Sequence, residues 1–285
     1  MNLVRYKSFL KRRARWFKPS RHPNFMIIGE QKSGTTALHY YLNQHPMIVG
    51  SQPKEIRYFH KKIDFGYNQK WYETHFKSLR KNLLHFEATP EYIYYENAAK
   101  EIKNMYPDIK LILILRNPVE RTYSAWNMYK DHFYDKKFHY FHEKTPDGKE
   151  NPLFTYFFKD RTEFPSLREC LSIELKLIEE NGPVEPSLLR RGLYYEQIRS
   201  YLKYFNKDQL MILGSKDLSQ STDKTLNNIL NFLGLSDYDW SNVNTEKKHN
   251  RKYDEKIDKD LLEFLEGFFD KPNQKLFNFI EPINW

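Results

Sequence analysis

The run Phe25-Met-Ile-Ile-Gly-Glu-Gln-Lys-Ser-Gly-Thr-Thr-Ala-Leu38 constrains this chain more than any other segment. Phe25 to Ile28 is a continuous apolar stretch of the kind that forms a strand buried on both faces. A turn bracketed by Gly29 and Gly34 follows, and an amphipathic stretch from Thr35 to His45 then reads as a helix. Strand, glycine turn and helix start build an anion cradle, because turn N–H groups and the positive helix end converge on one point. Glycine belongs where the backbone turns tightly and approaches a ligand closely.

The lysine position narrows the anion. A nucleoside-triphosphate loop places Lys directly before its last Ser/Thr. Here Thr35 holds that position and Lys32 lies inside the loop. No hydrophobic strand ends in the Asp that would hold Mg²⁺, so the expected ligand is a phosphate-like group handled without a metal, with Lys32 supplying the positive charge.

A second segment has the same build. Lys110-Leu-Ile-Leu-Ile-Leu115 predicts a buried parallel strand ending in Arg116, with Pro118 at a favoured first helical position. Arg116 and Ser124 could both face the crevice at the carboxyl ends of the strands, where guanidinium and hydroxyl suit a second phosphate. The alternative is that Arg116 caps carbonyls or pairs with Glu120.

Together these segments resemble the sulfotransferase family. Gln31-Lys32-Ser33-Gly34-Thr35-Thr36 looks like its 5′-phosphosulfate loop, and Arg116-Asn-Pro-x-x-Arg-x-x-Ser124 like its 3′-phosphate motif. Lys247, Lys248, His249, Asn250 and Arg251 are similar to the basic loop that closes over the cofactor in the heparan sulfate branch. Arg191-Gly-Leu-Tyr194 and the strand-like Gln209 to Leu218 complete an ordered match over roughly residues 24 to 255. The resemblance implies a P-loop-like α/β fold, a parallel sheet flanked by helices in a single domain. It implies 3′-phosphoadenosine-5′-phosphosulfate (PAPS) as donor, 3′-phosphoadenosine-5′-phosphate (PAP) as product, and Tyr194 among the cofactor-binding residues.

Sulfuryl transfer needs a base for the acceptor and a cation at the leaving oxygen. Gln52-Pro-Lys-Glu-Ile-Arg-Tyr-Phe59 resembles the family segment that carries the catalytic glutamate, which assigns Glu55 as base beside Lys32. Lys54, Arg57, His60 and Glu87 are the candidate acceptor-side residues. The competing readings are Glu55 as a surface residue paired with Lys54 or Arg57, and a His base (His60 or His85) as in small-molecule sulfotransferases. One departure stands out: Ala88 replaces the lysine that follows the first glutamate of Phe86-Glu-Ala-Thr-Pro-Glu-Tyr92 in the heparan sulfate branch. Lys54 or another cation then substitutes, or the acceptor differs.

At 285 residues one α/β domain is expected, residues 24–285, preceded by a basic arm, residues 1–23. The net charge of +9 suits a polyanionic nucleotide and an acidic acceptor or membrane surface. Lys and Arg are interspersed with 37 acidic residues in no nucleic-acid motif, so no nucleic-acid partner is expected. Residues 1–22 mix basic and aromatic side chains without an apolar core long enough for a signal or span. They read as an interfacial helix on anionic lipid or a disordered arm. The one cysteine, Cys170, sits at helical apolar spacing as a core thiol. The disulfide usual in Golgi glycan sulfotransferases is therefore precluded, and the expected location is cytoplasmic, with a membrane-peripheral one as the alternative that residues 1–22 leave open.

Alternating strand and helix signals run through the rest: a strand from Leu83 to Glu87, and helices over Ala98–Tyr106, Glu196–Phe205, Thr225–Leu233 and Asp254–Phe269. Residues 131–165 form an aromatic insertion, read either as acceptor wall or lid, or as packing. The expected acceptor is a saccharide or glycolipid. The rivals are a small phenol or alcohol, a kinase-like phosphotransferase, and a non-enzymatic basic binding module.

Overall fold

The computed structural model describes residues 22–60, 68–76, 82–136, 149–244 and 256–285. Among them, β1 (Phe25–Gly29), β2 (Ile48–Gly50), β3 (Leu84–Ala88), β4 (Lys110–Leu115) and β5 (Leu210–Gly214) form one sheet in the order β2-β3-β1-β4-β5. Every pairing is parallel, with Ile27 opposite Ala88 on one side and Ile112 on the other. β1, which leads into the glycine turn, is therefore central, with the Glu55 neighbourhood reached through β3 and Arg116 through β4.

The pleat explains why these strands are apolar throughout. Along β1, Met26 and Ile28 enter one core and Phe25 and Ile27 the other. Along β4, Leu111, Leu113 and Leu115 alternate with Ile112 and Ile114 in the same way. Both faces are covered by helices, so neither set can be polar. Each such side chain contributes about 1.5–3 kcal/mol by leaving water.

The helices are α1 (Thr35–Leu42), α2 (Gln69–Glu73), α3 (Glu96–Met105), α4 (Pro118–Tyr134), α5 (Pro152–Phe157), α6 (Leu167–Glu179), α7 (Tyr194–Leu202), α8 (Ser215–Gln220), α9 (Thr222–Leu233) and α10 (Lys259–Phe277). Local chemistry sets several boundaries. The Asn117 carboxamide accepts the Val119 and Glu120 N–H groups, and Pro118 begins α4. Ser166 accepts the Glu169 N–H to start α6. α9 stops where Gly234 takes φ 83° and Leu235 N–H bonds back to the Leu230 carbonyl.

The predicted elements are present with shifted ends. The helix expected from Thr35 to His45 closes at Leu42, and those expected from Ala98, Glu196 and Thr225 begin two or three residues earlier. The largest correction is α10. It starts at Lys259, five residues after the expected Asp254, and continues past Phe269 through Pro272 to Phe277. Proline normally ends a helix, but here Leu276 is buried along with Leu261, Leu265 and Phe269, and tertiary packing carries the helix through. A third core, under α4, α5, α6 and α10, gathers Trp126, Tyr129, Phe133, Phe157, Phe158 and Phe164.

Candidate active site

The turn after β1 is held from below. Glu30 N–H donates to the Ile114 carbonyl at 2.8 Å, and Ser33 N–H to the Glu30 carbonyl at 3.1 Å. Lys32 (φ 71°) and Gly34 (φ 108°) both take left-handed backbone, and Gly34 is the N-cap of α1. Glycine adopts this conformation without strain, and no side chain can cap the helix from that position. No acidic residue lies in the first turn of α1, so its positive end is not neutralised from within the helix. The Ser33 hydroxyl and the Gln31 side-chain oxygen are buried with no hydrogen-bond partner among the described residues. A helix start without a side-chain cap and an orphaned hydroxyl in the same turn fit an anionic group.

Arg116 leaves the end of β4 towards this turn. Its Nη1 donates to the Lys32 carbonyl at 3.3 Å, and its Nε pairs with Glu120 at 3.0 Å. The sequence alternative of a Glu120 pair and a carbonyl contact is thus present, and it sets the guanidinium against the loop. Ser124 is buried on α4. Tyr194, expected to touch cofactor, is 2 % exposed, and its hydroxyl donates to the Arg116 carbonyl at 2.8 Å. Its visible effect is to hold Arg116. Lys247, Lys248, His249, Asn250 and Arg251 lie outside the described residues.

On the β3 side, residues 54–58 hang from the strand end. Ile56 N–H donates to Glu87 at 3.2 Å, Arg57 N–H to the Thr89 hydroxyl at 3.3 Å, and Tyr58 N–H to the Tyr92 hydroxyl at 3.0 Å. Glu55 is held by Lys54 at 3.0 Å and Arg57 at 2.8 Å, and Arg57 reaches Glu91 at 3.3 Å. Ala88 N–H donates to the Lys54 carbonyl at 3.4 Å, which brings the Lys54 backbone to the strand end where the heparan sulfate branch has its lysine.

Glu87 has a different place from the acceptor-side one expected of it. It is fully buried and also accepts from Tyr72 at 2.6 Å, Thr89 at 2.6 Å and Tyr92 at 2.7 Å. Burial raises its pKa, and these hydrogen bonds oppose the rise. Its role is to fix the segment that carries Glu55. His60 stacks on Tyr95 with ring centroids 4.8 Å apart. His85 is buried within β3, two residues before Glu87 and so about 6.6 Å further from the strand's carboxyl end.

The buried roles of three charged residues escaped sequence reading. Glu30 and Arg191, both buried, pair at 3.4 Å, and burial outweighs Arg191 and Arg121 in raising the Glu30 pKa. Arg121, the second arginine of the 3′ motif, is fully buried and donates to the Leu188 carbonyl. A charge directly after an apolar strand was the only sequence signal for Glu30; its partner lies 161 residues away. Among the described residues, no group of three or more His, Cys, Asp or Glu could hold a metal ion, and no helix is long and apolar enough to cross a membrane.

Residues 22–260 match the sulfotransferase domain family. The chain belongs to that family. A crystal structure of a sulfotransferase from Alicyclobacillus acidocaldarius is 26% identical and has a TM-score of 0.67, covering 91% of this chain and 96% of that one. The membrane-associated sulfotransferase kil1 of Dictyostelium discoideum is 27% identical over 90% of this chain and 65% of its own length. The human bifunctional heparan sulfate N-deacetylase/N-sulfotransferase 3 is 28% identical over 80% of this chain and 24% of its own. The chain thus spans just under two thirds of the first relative and about a quarter of the second. The described residues thus form an α/β sulfotransferase domain, its parallel sheet flanked by helices, in a chain distantly related to heparan sulfate sulfotransferases.

Proposed function

We propose that this sulfotransferase moves a sulfuryl group from PAPS to a hydroxyl or amine of a saccharide or glycolipid, with Glu55 as general base. The observation that carries the donor half is the Arg116 contact with the Lys32 carbonyl, which sets the cation of one anion motif against the loop of the other. When bound, PAPS would supply the sulfuryl group and a bisphosphate leaving group. Gln31, Lys32, Ser33, Gly34, Thr35 and Thr36 would hold its 5′ end through their side chains, the N–H groups of the loop that do not bond to Glu30, and the Lys32 ammonium, which also meets charge on the leaving oxygen. Arg116 and Ser124 would hold the 3′-phosphate, with Lys247 to Arg251 covering it. Glu55 takes the acceptor proton, and Lys54 and Arg57 orient its carboxylate.

The acceptor class rests on the heparan sulfate relative and on a glutamate base between two cations, which suits a polar, partly anionic acceptor better than a phenol. Residues 1–22 are basic and aromatic, as a segment lying on anionic lipid would be, and the Dictyostelium relative is named membrane-associated.

Calorimetric titration with PAP in EDTA, with ADP and ATP as controls, tests the donor. The expected outcome is micromolar binding that requires the 3′-phosphate and persists in EDTA. No preference for PAP over ADP would sink the proposal.

A further inference from the structure

Glu30, Lys32, Arg116, Tyr194 and Arg191 close a ring of contacts behind the two anion motifs. Glu30 accepts the Gln31 N–H at 2.7 Å and Arg191 Nη1 at 3.4 Å. Arg191 also donates from Nε to the Ser187 hydroxyl at 2.9 Å and from Nη2 to Glu185 at 3.2 Å, with its guanidinium 4.3 Å from the Tyr94 ring centroid. Three residues on, the Tyr194 hydroxyl holds the Arg116 carbonyl, and Arg116 Nη1 returns to the Lys32 carbonyl.

The segment that closes this ring cannot shift easily. Arg191 and Tyr194 are 3 % and 2 % exposed. A Cβ on Gly192 between them would lie 2.6 Å from Phe269 and 2.9 Å from Pro118, so the backbone is wedged between α10 and the start of α4. The segment thus touches the loop of one motif at its Arg191 end and the arginine of the other at its Tyr194 end.

We infer that residues 185–194 are a spacer that fixes the separation between the Lys32 loop and Arg116. Arg191 and Tyr194 are then positioning residues that select a nucleotide phosphorylated at both 3′ and 5′ positions over one with a single phosphate. This rests on the reading of those two motifs as the 5′ and 3′ sites. Two phosphates on one ribose are a rigid bivalent ligand: the second contact adds affinity only when the site spacing matches. A shifted spacing leaves each half-site intact for a monophosphate, which needs only one of them.

The test is calorimetric titration of PAP, 5′-AMP and 3′-AMP against wild type, Tyr194→Phe and Arg191→Lys. Tyr194→Phe keeps the buried ring and removes only the bond to Arg116, and thermal melts check that both variants fold. Affinity for PAP is expected to fall about tenfold or more in each variant while both monophosphates stay within about twofold. Equal losses for all three nucleotides would show a merely structural role and overturn the spacer, as would an unchanged PAP affinity in Tyr194→Phe. A wild type that does not prefer PAP to the monophosphates refutes the two-phosphate reading itself, and does so before any variant is compared.

Discussion

Lys32 stands at φ 71° in the turn that leads into the uncapped start of α1. The chemistry proposed for it is read from its place between two glycines, since no core position asks for a lysine there. Lys32→Ala is expected to lower sulfuryl transfer from labelled PAPS by about a hundredfold or more, with Tm within a few degrees of wild type. Normal turnover would remove Lys32 from the reaction. The base role proposed for Glu55 rests on resemblance, because a carboxylate flanked by Lys54 and Arg57 also describes an ordinary surface pair. Glu55→Gln keeps the shape and one oxygen acceptor but takes no proton. PAP affinity should stay unchanged while kcat falls about a hundred- to ten-thousandfold, and wild-type kcat would end its assignment as base. Glu87 was misplaced for a physical reason: its spacing from Glu55 carries no sign of the Tyr72, Tyr92 and Thr89 hydroxyls that enclose it.

At the scale of elements, the aromatic insertion shows what periodicity leaves open. Residues 137–148 lie outside the described part, but the flanks are packed. Phe133 on α4, Phe157 on α5 and the loop residue Phe164 bury their rings against Trp126 and Tyr129. An aromatic run reads alike whether its rings face a ligand or a core; here Phe133, Phe157, Phe158 and Phe164 serve the core, and Tyr134 is exposed. Phe157 is fully buried. Phe157→Ala is expected to cost about 3–5 kcal/mol and to lower Tm by about 10 °C. PAP affinity of the folded fraction should be unchanged, as read by scanning calorimetry and titration. A Tm within 2 °C of wild type would show that this cluster does not support the fold.

Across the whole molecule, several carboxylates are buried, and that gives stability a pH dependence. Glu174 is buried where α6 meets residues 189–190, and accepts the Leu189 and Arg190 N–H groups at 2.7 and 2.9 Å. Burial raises its pKa from 4.5 to about 7, against the lowering effect of those N–H groups. Between those values the folded chain keeps a proton that the unfolded chain has released, so stability falls as pH rises. The contribution is fully present below about pH 4.5 and lost by about pH 7, on the order of 3 kcal/mol. Glu30 and Glu87, shifted in the same direction, steepen the slope. Urea denaturation from pH 5 to 8 should show this decline, and Glu174→Gln should flatten it by about one proton's share. A flat wild-type profile would refute the raised values.

Local signals in the sequence determined the strands, the glycine turn and the paired anion motifs. Apolar runs cannot lie in water, glycine takes left-handed backbone freely, and proline prefers a first helical turn. These effects act over a few residues, so they can be read along the chain. Sheet order, the continuation of α10 through Pro272, the burial of Glu87 and the pairing of Glu30 with Arg191 were decided only in three dimensions. Each depends on contacts between residues far apart in the chain, and the burial or charge compensation that makes them favourable exists only once the helices close over the sheet.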